Sequence, residues 1–164
     1  RAWEAHASAK MPRFYLDLAQ YQSYYEKGQP PYTPAISIYY ALDLAIAQLQ
    51  EEGIDDLFAR HARIAEMTRE GIKDLGLSLF PDEQYASDTV TAVSIPEGVV
   101  ASDLLRIVRE DHNVVLGGGQ GPVDGKIFRI GHMGKTTPED IQGVLDALAA
   151  SLPKVGFAPA VAAN

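Results

Sequence analysis

The spacing of apolar residues constrains the fold most, because it changes along the chain from a helical period to an alternating one. Between residues 33 and 75, apolar side chains recur every three or four positions, and Gly53 interrupts them once. This pattern predicts two amphipathic helices. Thr33 is a suitable N-cap and Pro34 a suitable first residue for the first helix, and the second helix is expected over residues 55–75.

Beyond Gly76 the chain contains short runs of alternating and β-branched residues, which are typical of strands. The predicted strands are residues 77–80, 89–95, 113–117 and 126–132. Two further helices are expected, one with Ser102 as a candidate cap and one with Thr137 as cap and Pro138 in the first position. This order of elements predicts an α+β fold, in which helices cover one face of a small, mostly antiparallel sheet.

The two ends of the chain are less regular than its middle. Residues 1–33 are rich in tyrosine without a clear period, and we expect them to be the end of another domain or an arm. Residues 34–152 are expected to form one domain, and residues 153–164, rich in alanine and proline, a flexible tail. Because residue 1 is arginine rather than methionine, the chain is expected to be a fragment of a longer one.

Composition narrows the classes of function. Hydrophobic residues make up 46% of the 164 residues, which predicts a packed core. The net charge of -8 argues against a nucleic-acid or anionic-membrane surface, because such surfaces need clustered lysine and arginine. The chain has no cysteine for disulfide or thiolate chemistry, and its four histidines lack the spacing of a metal site. With no signal peptide and no apolar run of about 20 residues, a cytoplasmic protein is expected.

A glycine-rich loop at residues 117–125 raises the question of a phosphate site. The P-loop pattern requires a glycine five positions before the second glycine, and Gln120 and Arg129 occupy that position in the two candidate segments. A nucleotide site is therefore not expected. Two interpretations remain equally open: a tight hairpin, or a loop whose small residues let a ligand approach the backbone closely.

Polar groups at two places in the pattern need an explanation. Arg129 lies in the middle of an apolar predicted strand, and a buried guanidinium requires an anionic partner. An internal carboxylate and the carboxylate of a ligand are equally open as that partner. Tyr32 and Thr33 place hydroxyl groups at the start of a predicted helix, where they serve either as a cap or as part of an anion site.

Three segments taken together resemble the C-terminal part of class V aminotransferases. They are GQPPYTPAISIYYALDLA, EEGIDDLFARHARIAEMTREGIKDLGL and GGGQGPVDGKIFRIGHMG, and the resemblance extends from residue 1 to about residue 152. In particular the chain resembles the serine–pyruvate and alanine–glyoxylate aminotransferases, a branch in which some members are labelled soluble hydrogenase small (tritium-exchange) subunit. The resemblance implies a fold-type I pyridoxal-phosphate enzyme, with residues 1–33 ending its large domain and residues 34–152 forming its small C-terminal domain.

The resemblance also implies a cofactor, pyridoxal 5'-phosphate, bound by both subunits of a homodimer. The resemblance places the Schiff-base lysine of the family upstream, in a Ser/Gly-x-x-Lys pattern, and Lys10 stands in a different context. The chain is therefore expected to contain no catalytic residue and to be inactive alone. Gln29, Tyr32 and Thr33 match the segment that contacts the cofactor phosphate of the other subunit.

A substrate site is implied by the same resemblance. Arg129 matches the arginine that holds the substrate carboxylate, and Gly118 and Gly119 match a loop near the substrate. The implied reaction transfers an amino group from a small amino acid, such as serine or alanine, to a small 2-oxo acid, such as glyoxylate or pyruvate. A second hypothesis is a ligand-binding or interaction subunit without catalysis, to which the hydrogenase label would belong.

Overall fold

A computed structural model describes residues 1–158. Their contacts separate two compact units, Arg1–Glu51 and the part of the chain that begins at Glu52. The helix that follows Thr33 therefore groups with the residues before it, whereas the sequence suggested a domain boundary between residues 33 and 34. For the whole protein, the boundary inferred from the sequence stays a prediction.

The regular elements of the first unit are helices. Helix α1 spans Ala2–Ser8, α2 spans Leu18–Tyr25 and α3 spans Ile36–Glu52. The prediction that Thr33 caps α3 is wrong, because the helix begins at Ile36 rather than at Pro34. Pro34 lies instead in a turn, in which its carbonyl oxygen accepts a hydrogen bond from Ile36 N at 2.9 Å. Gly53, with a φ of 86°, ends α3 as predicted.

Three α-helices lie in the described part of the second unit. Helix α4 spans Ile54–Asp74, α5 spans Ala101–His112 and α6 spans Pro138–Ser151. The cap predicted at Thr137 is confirmed: its hydroxyl accepts a bond from Asp140 N, and the Asp140 carboxylate accepts one from Thr137 N. The cap predicted at Ser102 is wrong, because α5 begins at Ala101 and its cap position is Val100, which makes no side-chain bond.

The sheet has three short antiparallel strands in the order β1-β3-β2. They span Val90–Ser94 (β1), Gly117–Gly118 (β2) and Ile127–Gly131 (β3). Two of the predicted strands are much shorter in the structure than the sequence suggested. Residues 77–80 make a single bridge, from Leu79 to Val93. The segment 113–117 reaches the sheet only at its end, because Asn113 is the left-handed C-cap of α5, with a φ of 56°.

Helices α4, α5 and α6 cover one face of the sheet, as the α+β prediction requires. Val93, Phe128 and Ile130 are buried on this face. They pack with apolar residues of the three helices, which include Ile64, Ile72, Leu104, Val108, Ile141, Leu145 and Leu148. Because side chains alternate along a strand, Ala92 and Arg129 lie on the opposite face.

The end of the described chain packs against the core. A 3-10 helix spans Leu152–Val155, and two others lie at Glu83–Tyr85 and Gly121–Val123. Leu152 is buried and Phe157 contacts the core cluster, so residues 153–158 differ from the flexible tail expected there. The rest of that expected tail lies outside the described residues. No helix within residues 1–158 combines the length and the apolar character that crossing a membrane requires.

Candidate functional site

Arg129 occupies the middle of the central strand β3, on the face that points away from the helices. Its partners in register are Ala92 on β1 and Gly117 on β2. Directly opposed residues on neighbouring strands share one face of a sheet. The long side chain of Arg129 therefore stands between two residues with little or no side chain, and it is half-buried.

The guanidinium group of Arg129 makes one hydrogen bond, in which Nε donates to the Gly118 carbonyl oxygen at 3.1 Å. Among residues 1–158, no carboxylate forms a salt bridge with this group, and its Nη1 and Nη2 atoms make no hydrogen bond. The internal ion pair considered from the sequence is thus not found in this part of the chain. The N–H groups of Nη1 and Nη2 remain available to an anion from outside it.

Gly117 lies directly beneath the Arg129 guanidinium. A Cβ atom on Gly117 would stand 3.4 Å from Nη2, 3.6 Å from Nε and 3.7 Å from Cζ of that side chain. A Cβ atom on Gly118 would stand 3.6 Å from Leu105 of α5 instead. Sequence reasoning missed Gly117, because only the pairing of β2 with β3 reveals that it lies opposite Arg129.

Gly119 has a structural role that the sequence left open. A Cβ atom there would lie 1.9 Å from the Val123 carbonyl oxygen, so a side chain would force the backbone apart. The turn that returns the chain to β3 therefore requires glycine at this position. Of the two glycines predicted near a substrate, Gly118 is hydrogen-bonded to Arg129, whereas Gly119 N donates to the Ile127 carbonyl oxygen.

Tyr32 is engaged inside the first unit. Its hydroxyl group donates to the Phe14 carbonyl oxygen at 2.8 Å and also lies 2.8 Å from Gln20 Oε1. Its ring stacks on Tyr15, with ring centroids 4.8 Å apart. Burial raises the pKa of Tyr32 above its ordinary value, so the hydroxyl keeps its proton. These contacts give Tyr32 a structural role and leave its hydroxyl no second hydrogen for a phosphate.

Gln29 and Thr33, the other two residues predicted to contact a cofactor phosphate, have exposed side chains. Neither side chain makes a hydrogen bond to another group in residues 1–158. Both can therefore donate to an external anion, whereas Tyr32 is already bonded. Of the three residues predicted to contact the phosphate, Gln29 and Thr33 therefore have side chains available for it, and Tyr32 does not.

No protein-family model matches the chain, but individual proteins do. It is 38% identical over 157 residues to the small subunit of a soluble hydrogenase from Synechococcus sp. (strain PCC 6716). It is 41% identical over 159 residues to an uncharacterized aminotransferase from Methanocaldococcus jannaschii. Both alignments cover 96% of this chain, which spans 41% of the length of each of these curated relatives.

Solved structures show the same relationship. The crystal structure of ureidoglycine–glyoxylate aminotransferase from Bacillus subtilis matches with a TM-score of 0.88 at 30% identity, covering 96% of this chain and 41% of that one. Other homologues are named serine–glyoxylate and alanine–glyoxylate aminotransferases.

The resemblance inferred from the three sequence segments is therefore confirmed. The homologues of this chain are class V aminotransferases together with proteins named as soluble hydrogenase subunits, and the chain corresponds to their C-terminal portion. Its fold is that of the C-terminal domain of fold-type I pyridoxal-phosphate aminotransferases.

Proposed function

We propose that this chain is part of a pyridoxal-phosphate-dependent aminotransferase that transfers an amino group from a small amino acid to a small 2-oxo acid. The observation that carries the proposal is the Arg129 guanidinium, whose Nη1 and Nη2 atoms have no partner within residues 1–158. The aminotransferases among its relatives support the class of reaction.

Arg129 suits both substrates of such a reaction, because an amino acid and a 2-oxo acid each carry a carboxylate. A guanidinium binds a carboxylate through two parallel hydrogen bonds, which set the orientation of the substrate as well as its position. The small neighbours Ala92 and Gly117 leave room around the group. We propose serine or alanine as the donor and glyoxylate or pyruvate as the acceptor, and the relatives that are named for glyoxylate support this range.

Pyridoxal phosphate, which the homologues imply for the family, supplies an electron sink for amino-group chemistry when it is bound. We assign part of the contact with its phosphate to the exposed side chains of Gln29 and Thr33. Thr33 lies shortly before the start of α3, where the free N–H groups of a helix favour an anion. The lysine that carries the cofactor is expected outside this chain, which is therefore expected to be inactive alone.

Helix α3 supports a larger assembly, because it is apolar on all sides and exposed in this chain. Ile38, Tyr40 and Leu44 are 65%, 75% and 61% exposed. Asp43 is the only charged residue of the helix before Glu51. A helix that is apolar all round is typical of a buried one. We propose that the rest of a longer chain and the second subunit of a cytoplasmic homodimer cover it.

The test uses the full-length protein and the substitution Arg129→Lys, which keeps the charge but removes the planar fork. We expect kcat/KM to fall at least about 30-fold for the amino acid and for the 2-oxo acid, because losing one partner of a charge pair costs about 2–5 kcal/mol and about 1.4 kcal/mol is a factor of ten. Amines without a carboxylate are expected to react at nearly the unchanged rate. Arg106→Lys, beside Glu110 on the exposed side of α5, is the matched control.

Equal losses for the amino acid and the amine would overturn the carboxylate clamp. A lower melting temperature combined with equal losses would identify Arg129 as one half of an internal ion pair in the full-length protein. Unchanged kcat/KM values in Arg129→Lys would also contradict the proposal.

A second candidate is a ligand-binding subunit without catalysis, which the relatives named as soluble hydrogenase subunits favour. In that case Arg129 would hold a carboxylate without turnover. The formation of 2-oxo acid from serine or alanine by the full-length protein separates the two candidates. Carboxylate binding without amino-group transfer would favour the subunit.

A further inference from the structure

We infer that Arg129 takes a carboxylate end-on, through Nη1 and Nη2, and that Gly117 is a positioning residue that sets this orientation. The inference rests on the proposed function, because it describes how the same arginine would meet its substrate. It concerns Gly117, which begins the glycine-rich loop but received no role of its own in the sequence analysis.

The first step is the use of the Nε–H group. A guanidinium can grip a carboxylate side-on, through Nε and one Nη atom, or end-on, through both Nη atoms. In Arg129 the single hydrogen on Nε already points to the Gly118 carbonyl oxygen, at 3.1 Å. A side-on carboxylate would have to displace this backbone acceptor. The end-on edge, by contrast, makes no hydrogen bond within residues 1–158.

The second step is the position of Gly117. The point at which a Cβ atom would stand is almost equally distant from three guanidinium atoms, at 3.4 Å from Nη2, 3.6 Å from Nε and 3.7 Å from Cζ. The Nε–Nη2 side of the guanidinium therefore lies against the side-chain position of Gly117 on β2. One methyl group fits at ordinary contact distance there, but a branched side chain would occupy the space that the guanidinium now fills.

Displacing the guanidinium has a chemical consequence. If a side chain at position 117 pushes the guanidinium away from β2, Nε moves away from the Gly118 carbonyl oxygen and the plane of the fork turns. Because a carboxylate must lie in that plane to form two parallel bonds, the bound substrate would turn with it. Gly117 thus acts through Arg129 and needs no contact with the substrate itself.

The experiment uses full-length protein labelled with 15N-arginine and acetate as the carboxylate probe. The NMR signals of Arg129 are assigned by their loss in Arg129→Lys. We expect acetate to shift the Nη signals of Arg129 and to leave its Nε signal in place. In Gly117→Val, the Nε signal should move before acetate is added, and the Kd for acetate should rise about tenfold or more, because a lost hydrogen bond between charged groups weakens affinity by that factor.

Two further variants keep the test independent of folding. Gly117→Ala adds only a methyl group at contact distance and is expected to give a smaller change of the same sign. Gly143→Ala is the matched control, because Gly143 lies on the exposed side of α6 and its added Cβ would meet no atom within 4 Å. The backbone of neither Gly117 nor Gly143 lies in the left-handed region, so both positions accept alanine. In Gly143→Ala the Kd for acetate should stay within about twofold of wild type, below the tenfold that about 1.4 kcal/mol represents.

Acetate that shifts Nε as strongly as Nη in the wild type would overturn end-on binding. An Nε signal that stays in place in both Gly117 variants would overturn the role of Gly117, whatever acetate does. If acetate moves no signal of Arg129, the carboxylate clamp itself fails, and with it the proposed function.

Discussion

Thr91 Oγ1 and His132 Nε2 lie 2.9 Å apart, and both side chains are buried. Thr91 is on the core face of β1, and His132 directly follows the last residue of β3. Burial lowers the pKa of His132 below its ordinary value, and the positive charge of Arg69 acts in the same direction. The folded protein therefore favours the neutral imidazole at this position.

Acid is expected to destabilise the protein through His132. When folding lowers the pKa of a histidine, the unfolded chain takes up a proton below about pH 6.5 while the folded protein does not. The contribution of His132 to the free energy of unfolding is therefore complete above that pH. It falls as the pH drops from about 6.5 toward the lower pKa of the folded protein. Urea unfolding at about pH 7.5 and at about pH 5 measures the loss.

His132→Gln shows whether this residue is the cause. The variant is expected to be less stable at neutral pH and to lose part of the difference between the two pH values. His61→Gln is the matched control, because His61 is only partly buried and its Nδ1 lies 2.9 Å from the Leu57 carbonyl oxygen. An acid effect of equal size in wild type and in His132→Gln would contradict the prediction.

Thr33→Ala is expected to weaken cofactor binding by the full-length protein without lowering the melting temperature of its cofactor-free form. Thr33 neither caps α3 nor forms a side-chain bond within the described chain, so folding loses little. A hydrogen bond to a charged phosphate contributes about 1.5–3 kcal/mol, and its loss should weaken pyridoxal-phosphate affinity about tenfold or more. Tyr32→Phe is the matched contrast, since it removes the bond to Phe14 and should lower the melting temperature. Cofactor titration with Thr33→Ala that matches wild type would remove Thr33 from the phosphate site.

Gly119→Ala is expected to destabilise the second unit strongly. The added methyl group would overlap the Val123 carbonyl oxygen, and relieving such a clash by backbone shifts costs about 1–3 kcal/mol. Gly118→Ala, one residue earlier, meets Leu105 at ordinary contact distance and should change the unfolding free energy much less. Urea unfolding of both variants provides the comparison. Equal stability of the two would show that the turn can open without cost.

The isolated chain is expected not to form a stoichiometric covalent adduct with pyridoxal phosphate. The resemblance places the cofactor lysine upstream of this chain; Lys10 stands in a different context, and Lys154, which follows Ser151 at Ser-x-x-Lys spacing, pairs with Asp111 at 2.8 Å. A visible spectrum after mixing, followed by borohydride reduction and peptide mapping, measures any adduct. Modification of one specific lysine in full yield would show that the chain carries the cofactor residue itself.

Helical features could be predicted from the sequence where they depend on residues only a few positions apart. Ile64, Thr68 and Ile72 recur every four residues along α4, the spacing from which this helix was predicted, and all three are buried. Thr137 caps α6 through a reciprocal pair of bonds with Asp140, three positions later. Both results depend on contacts within one or two turns of helix, which spacing alone determines.

The caps predicted at Thr33 and Ser102 are wrong, and they show that short sequence patterns do not determine the first residue of a helix. A hydroxyl residue before an apolar run favours a cap, yet α3 begins at Ile36 and α5 at Ala101. The first residue of a helix depends on how the preceding segment is held, and this differs between sequences with the same cap residues. Strand ends were less predictable still, because β2 keeps only the two residues that can pair with β3.

By itself, the sequence determined the α+β class, its relationship to aminotransferases and the need of Arg129 for an anionic partner. The surroundings of Arg129 were decided by the tertiary structure. Packing of Phe128 against Val93 on the core face sets the register of β1 and β3, and the same register places Ala92 beside Arg129 on the other face. Pairing with β2 adds Gly117. Because register arises from contacts between distant segments, no local pattern in the chain specifies it.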